Sequence, residues 1–212
     1  MRFLRDNGLT LALMAAFLVS LGGMMLAGWA DENAELIKHS QPAISFVSYI
    51  VSGSFLSALF ENWESEFLQM AAYVIFTAYL FQRGSAESAD PDEPPRPGDE
   101  LPKAWRSRAP ILGWLYGHSL GIALALLFIL SFVAHWLSSV SAANQEASAH
   151  GGPHLSALQY LADARFWFES FQNWQSEFLS TAVLVVLSIF LRFRGSPESK
   201  PVAAPHSETG AS

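Results

Sequence analysis

The sequence predicts an all-α membrane protein with four transmembrane helices in two parallel hairpin repeats, each carrying an amphipathic outer interfacial helix. Three observations lead there. Only 15% of the 212 residues are charged, against about 25% in soluble domains. Ala109 to Gln145 runs for 37 residues without Asp, Glu, Lys or Arg. And a block near residue 60 recurs 111 positions later. This composition excludes an ordinary soluble enzyme. The net charge of -7 offers no basic patch to nucleic acid. The absence of cysteine excludes thiol chemistry and a disulfide scaffold.

The first span is expected at about 8–30, where Gly8 to Ala30 forms a charge-free apolar run of 23 residues. Basic residues before it and small residues after it imitate a secretory leader. A cleaved leader, however, has an apolar core of about 7–15 residues, so this run is expected to stay as an anchor. The third span is expected at about 111–137, long enough to cross a hydrocarbon core of about 30 Å with tilt to spare. Two weaker runs, Phe67 to Phe81 and Phe178 to Leu191, end the two halves.

Positive charge sets the expected topology. Ten of the 12 Lys and Arg residues precede the first run, lie in the middle linker or follow the last run; only Lys38 and Arg165 fall elsewhere. Both termini and the linker are then cytoplasmic, and each half crosses an even number of times. Ser40 to Phe60 is also charge-free and apolar, and as a span it would move the linker outside. Its five serines weaken that assignment, and the repeat decides against it.

Phe60-Glu-Asn-Trp-Glu-Ser-Glu-Phe-Leu68 matches Phe171-Gln-Asn-Trp-Gln-Ser-Glu-Phe-Leu179 at seven of nine positions. Arg83-Gly-Ser-Ala-Glu-Ser88 matches Arg194-Gly-Ser-Pro-Glu-Ser199 at five of six. The copy of the ambiguous segment holds Asp163, Arg165 and Glu169, which make it a poor span. Both copies share a helical stripe with spacings of 3 and 4: Phe46, Tyr49, Gly53, Leu56, Phe60, Trp63, Phe67, and Ala157, Tyr160, Ala164, Trp167, Phe171, Trp174, Phe178. Such a face suits a helix in the membrane interface, expected at about 43–60 and again at about 155–171. The first repeat therefore covers 1–82 with spans at about 8–30 and 60–82. The second covers 111–194 with spans at about 111–137 and 171–192. Between them, 83–110 holds six prolines and six acidic residues and reads as a solvated cytoplasmic tether; 195–212 is expected to be a disordered cytoplasmic tail.

The closing runs carry the candidate chemistry. Phe67 to Phe81 gives about 22 Å of helix, so crossing requires a start near Phe60, and near Phe171 in the second half. The repeated block then enters the outer leaflet or its edge. Trp63, Trp174, Trp29, Trp136 and Trp167 suit that depth as interfacial anchors. Asn62 and Glu66 share a helix face, as do Asn173 and Glu177. Carboxylates at that depth are functional candidates. Brought together across the repeats, they would share a proton or bind a hard cation through oxygen, with His135 near enough to join. The blander and preferred reading has Glu66 and Glu177 reaching the outer surface while the amides serve helix contacts. His118 and His135 have no histidine at their repeat partners, so no paired metal site is encoded. Gly151, Gly152 and Pro153 between His150 and His154 keep these two off one helix turn. No nucleophile–base, zinc-type or phosphate-binding motif is present. Ser65 and Ser176 are expected to pack rather than react.

The opening Phe3-Leu-Arg-Asp-Asn-Gly8, the Asn62-Trp-Glu-Ser-Glu-Phe-Leu68 block with its copy, and Phe81-Gln-Arg-Gly-Ser-Ala-Glu-Ser88 resemble a bacterial family of small integral membrane proteins with a domain of unknown function. The resemblance spans nearly the whole chain. It implies a membrane location and brings no activity, cofactor or catalytic residue. The expected function is therefore a non-enzymatic structural or interaction component of the bacterial plasma membrane. Its expected partners are the lipid bilayer and further copies of itself, with no nucleic acid and no cofactor. Gly22-Gly23 and Ala12, Ala15 and Ala16 are candidates for close helix contacts. The alternative is a small proton or cation channel or transporter using the two Asn-Trp-x-Ser-Glu sites.

Overall fold

The protein was analysed as a computed structural model that describes residues 2–94, 98–103, 105 and 109–210. Three of the linker's basic residues, Arg96, Arg106 and Arg108, lie outside the described residues, as do linker prolines Pro95 and Pro97.

The described residues form helices α1 (Arg2–Asp6), α2 (Gly8–Lys38), α3 (Phe46–Ile50), α4 (Gly53–Tyr79), α5 (Pro110–Gly117), α6 (Ser119–His150), α7 (Ala157–Leu161) and α8 (Ala164–Phe190), with no strand among them. Four are long: α2, α4, α6 and α8. The offset of 111 reappears in the backbone. It carries both ends of α3 onto α7 and both ends of α4 onto α8, and the start of α2 onto the start of α6. Two helices are long and apolar enough to cross a membrane. These are α2, with a most apolar window of mean hydropathy 2.1, and α6, at 2.3. Neither α4 nor α8 meets the same standard.

The amphipathic stripe is divided between two helices in each copy. α3 ends at Ile50 and α4 starts at Gly53; α7 ends at Leu161 and α8 starts at Ala164. Side-chain caps explain the breaks. Ser52 Oγ accepts from the Phe55 amide at 3.2 Å, and Asp163, itself in an extended conformation, accepts from the Arg165 amide at 2.8 Å. A capping oxygen satisfies an amide that a fresh helix start leaves open, so a new helix begins there. As a result α4 and α8 start seven residues before Phe60 and Phe171 and carry the repeated block in their interiors.

The chain divides into two compact units, residues 1–59 with 134–160, and residues 60–133 with 161–212. In the first unit, one asparagine from each repeat ties its long helix to the following loop. Asn33 donates to the Ile44 carbonyl at 3.2 Å and accepts from the Ile44 amide at 2.7 Å; Asn144 does the same to Leu155 at 2.9 and 2.8 Å. Trp29 Nε1 donates to the Ile44 carbonyl and Trp136 Nε1 to the Ala157 carbonyl. Tyr49, Phe55 and Tyr160 are buried there. Gly53 permits a close helix approach. A Cβ at this position would lie 2.6 Å from the Ala142 amide nitrogen and 3.0 Å from the Ser138 carbonyl oxygen. One turn on, Ser57 and Ser139 hydroxyls bond at 2.6 Å.

In the second unit an aromatic cluster surrounds the fully buried Phe166. Phe132 meets it edge-on at 5.5 Å, Trp167 lies at the same separation, and Phe171 and Trp174 continue the contact along α8. Edge-to-face pairs of this kind add about 0.5–1.5 kcal/mol each beyond area burial.

Candidate functional site

Within the second unit, side chains on α4 bond to side chains on α8 at positions separated by nearly the repeat length. Glu61 accepts from Gln172 Nε2 at 3.3 Å and from the Asn173 amide. Glu64, fully buried, accepts from Trp174 Nε1 at 2.9 Å. Gln69 donates to Thr181. Contacts of residue i with its own copy are what a twofold relation between two parallel helices produces.

That relation sorts the acidic residues. Where the first copy has Glu61 and Glu64, the second has Gln172 and Gln175, and the acids are satisfied by amide and indole donors. Glu66 and Glu177 are kept in both copies, and each lies within reach of the other's charge. Glu66 is exposed and Glu177 half-buried. Asn62 is exposed; Asn173 is half-buried and bonds to Glu61 and to the Glu169 carbonyl. His135 is fully buried in the first unit. Of the tryptophans, Trp167 Nε1 donates to the Leu161 carbonyl at 2.9 Å, and Trp63 meets Phe60 edge-on at 5.4 Å. Ser65 and Ser176 return their hydroxyls to the carbonyls of Asn62 and Asn173. Among the described residues no three His, Asp or Glu side chains gather as a metal-holding group.

A second pair of repeated acids lies after the helices. Both Arg-Gly-Ser-x-Glu-Ser segments form the same turn. Gly84 and Gly195 take φ of 84° and 86°, in the left-handed region that favours glycine. Ser88 Oγ accepts from the Gln82 amide at 2.9 Å and Ser199 Oγ from the Phe193 amide at 2.8 Å. The turns bring Glu87 and Glu198 together. The Tyr73 hydroxyl donates to Glu87 Oε2 at 2.5 Å. Burial pushes the Glu87 carboxyl up, the Tyr73 hydrogen bond draws it back, and Glu198 adds to the rise. Glu87 Oε1 is buried, and the Glu198 carboxyl lies within hydrogen-bond reach of the Glu87 carboxyl. Beside them a partly open cavity of about 420 Å³ lies between α4 and α8. The sequence marks this motif as part of the repeat and of the family resemblance, and assigns its glutamates no role. The usable signal was that its glutamate is kept in both copies.

The last residues, which composition assigns to a disordered tail, pack onto the first of these turns. Lys200 is 1% exposed, and its ammonium donates to the carbonyls of Gly84, Pro205, His206 and Glu208. Burial, with Arg192 nearby, pulls its pKa down. The Gly84 amide donates to Thr209 Oγ1 at 2.9 Å, and the Gly210 amide to the Ser85 carbonyl at the same length. An ammonium ringed by carbonyl oxygens organises a short segment that has too little apolar surface to fold by burial alone.

A family model described as Domain of unknown function (DUF6766) matches residues 1–211, so the chain belongs to that family. No curated protein and no solved structure matches it.

Proposed function

We propose that this member of the DUF6766 family is a four-span protein of the bacterial plasma membrane, with both termini and the linker in the cytoplasm, acting as a structural or interaction component that associates with copies of itself. One observation carries the reading. None of the most apolar window of α2 is buried within the chain. A 31-residue helix this apolar, left uncovered, requires lipid or another protein around it. The large apolar side chains exposed along α8, among them Leu179, Val183, Val186 and Phe190, support the same environment for the closing helices.

Self-association is assigned to α2. Nothing lies within 4 Å of a Cβ placed at Gly22 or Gly23, so this small-residue face is open to a second helix. The chain has no cysteine, which makes crosslinking direct. Single cysteines placed from Ala12 to Gly23 in native membranes are expected to give disulfide-linked dimers that peak every three to four positions. Absence of dimer at every position overturns self-association through α2. Reporter fusions in the linker and at His150 are expected on opposite sides of the membrane; a linker on the outside overturns the topology.

The mutual reach of Glu66 and Glu177 favours a second reading, a proton or cation path. Vesicles containing the protein would then show flux that Glu66→Gln and Glu177→Gln abolish. Flux that is absent, or unchanged in both variants, sinks it.

A further inference from the structure

We propose that the two Arg-Gly-Ser-x-Glu-Ser turns form a pH-sensitive latch, hinged on Lys200 and closed by a proton shared between Glu87 and Glu198, which opens as pH rises. The device goes beyond a structural role, lies wholly within the second unit and needs no particular membrane topology.

Two separate links join the turns. The hinge is the lysine that follows the second turn. Lys200 donates to the Gly84 carbonyl of the first turn and gathers three tail carbonyls around the same ammonium. Thr209 and Gly210 bond to Gly84 and Ser85 beside it. All four acceptors of the lysine are backbone carbonyls, which do not titrate. The latch lies at the glutamates, where the Glu198 carboxyl is within hydrogen-bond reach of the Glu87 carboxyl. Ionised carboxylates only accept, so a bond between two of them exists only while one carries a proton. The Tyr73 hydroxyl, donating to Glu87 Oε2 at 2.5 Å, fixes the Glu87 side of the pair.

Glu87 is half-buried and Glu198 exposed. Burial pushes the Glu87 carboxyl up and Glu198 adds to the rise, so Glu87 is the member that keeps the proton. The latch is therefore closed below the ordinary glutamate value of about 4.3, and it is lost as pH rises through the raised value. Two carboxylates then face each other across the joint and repel. Lys200 still holds the Gly84 side, so the turns swing apart at the glutamates rather than separate. The titratable groups facing Glu87 are Tyr73 from α4 and Glu198 from the second turn. Of the cations in and beside the turns, Lys200 and Arg192 are engaged on backbone carbonyls, Arg83 on Asp92, and Arg194 is exposed. Gln82, Glu87 and Ser88 line the partly open cavity between α4 and α8, so an open latch widens that cavity at the turn.

The chain has no cysteine, so Ala89→Cys beside the first turn and Pro197→Cys in the second carry two spin labels at exposed positions. The first copy has Ala86 where the second has Pro197, so the turn forms without a proline there. Double electron–electron resonance is measured on the full chain in detergent. A narrow distance distribution is expected at about pH 4 and a longer, broader one at about pH 8, with the midpoint above the ordinary glutamate value of about 4.3. In Glu87→Gln the amide keeps an oxygen for the Tyr73 hydroxyl and an N–H for Glu198 but cannot ionise. The shift should vanish in this variant, with the short distance kept throughout. Glu198→Gln should behave alike, and it decides should the first variant not fold. Wild-type distances that do not change with pH overturn the latch, as does a midpoint at or below the ordinary value. A shift that survives in either variant, as titration of Lys200 would leave it, overturns it too.

Discussion

The two copies of the repeat are nearly alike in backbone and unlike in charge. α3 and α4 map onto α7 and α8 at both ends, and the asparagine ties and glycine turns repeat. The charges do not follow. Glu61 and Glu64 face donors contributed by a second copy that has Gln172 and Gln175 in their place. A twofold relation explains why. Along α4 and α8 it brings a residue near its own copy, so a charge kept in both meets its like there. Sequence difference between the copies therefore marks where the scaffold needed relief. At Glu66 with Glu177 and at Glu87 with Glu198 the acid is the same in both copies, and there like charges lie near one another.

The strongest way to break the comparison is at the helix starts. Gly53→Val forces a side chain against the Ala142 and Ser138 backbone and should cost about 1–3 kcal/mol or more through overpacking. The equivalent Ala164 is exposed, so Ala164→Val should stay within about 0.5 kcal/mol. Thermal unfolding in detergent measures both, and equal losses would mean that the close approach at Gly53 is not a constraint.

Next come the acids that differ. Glu64→Ala leaves the Trp174 indole N–H without this acceptor and should cost about 1–3 kcal/mol. Glu64→Gln keeps an acceptor oxygen and should cost less, while Gln175→Glu, on an exposed site, should be near neutral. A Gln175→Glu variant as destabilised as Glu64→Ala would contradict the distinction between the copies.

The smallest effect concerns pH. The Glu87 carboxyl is raised in the folded protein, first by burial and further by Glu198. Its contribution to stability is full below the ordinary carboxylate range, about 4.3 for glutamate, and is lost as pH rises through the raised value. The unfolding midpoint should therefore fall across that window. Glu87→Gln should flatten the fall; a variant with the same slope as the wild type would assign it to other groups.

Part of this was legible from the residues. The constant offset predicted equivalent elements, and the first charge-free run lies in α2, whereas the span expected at about 111–137 is broken at His118 between α5 and α6, and α6 continues to His150. The helix breaks at residues 51–52 and 162–163 were hidden because a continuous apolar stripe gives no sign of a cap within it; Ser52 and Asp163 look like ordinary polar-face residues. Nothing local in the sequence singles out Glu64, whose indole donor Trp174 lies 110 positions away. The tail was hardest to read. Its order rests on one ammonium finding four carbonyls, and composition carries no trace of that geometry.

The ring around Lys200 also has a consequence in time. Gly84 emerges from the ribosome 116 residues before the lysine that binds its carbonyl. At about 5–20 residues per second, the first turn waits roughly 6–23 seconds for its partner. During that interval the Gly84 and Ser85 carbonyls depend on water, and Glu87 has not yet met Glu198. This end of the second unit is thus completed only as synthesis finishes, so a chain that stops short of Lys200 would carry its closing helices with that end still open.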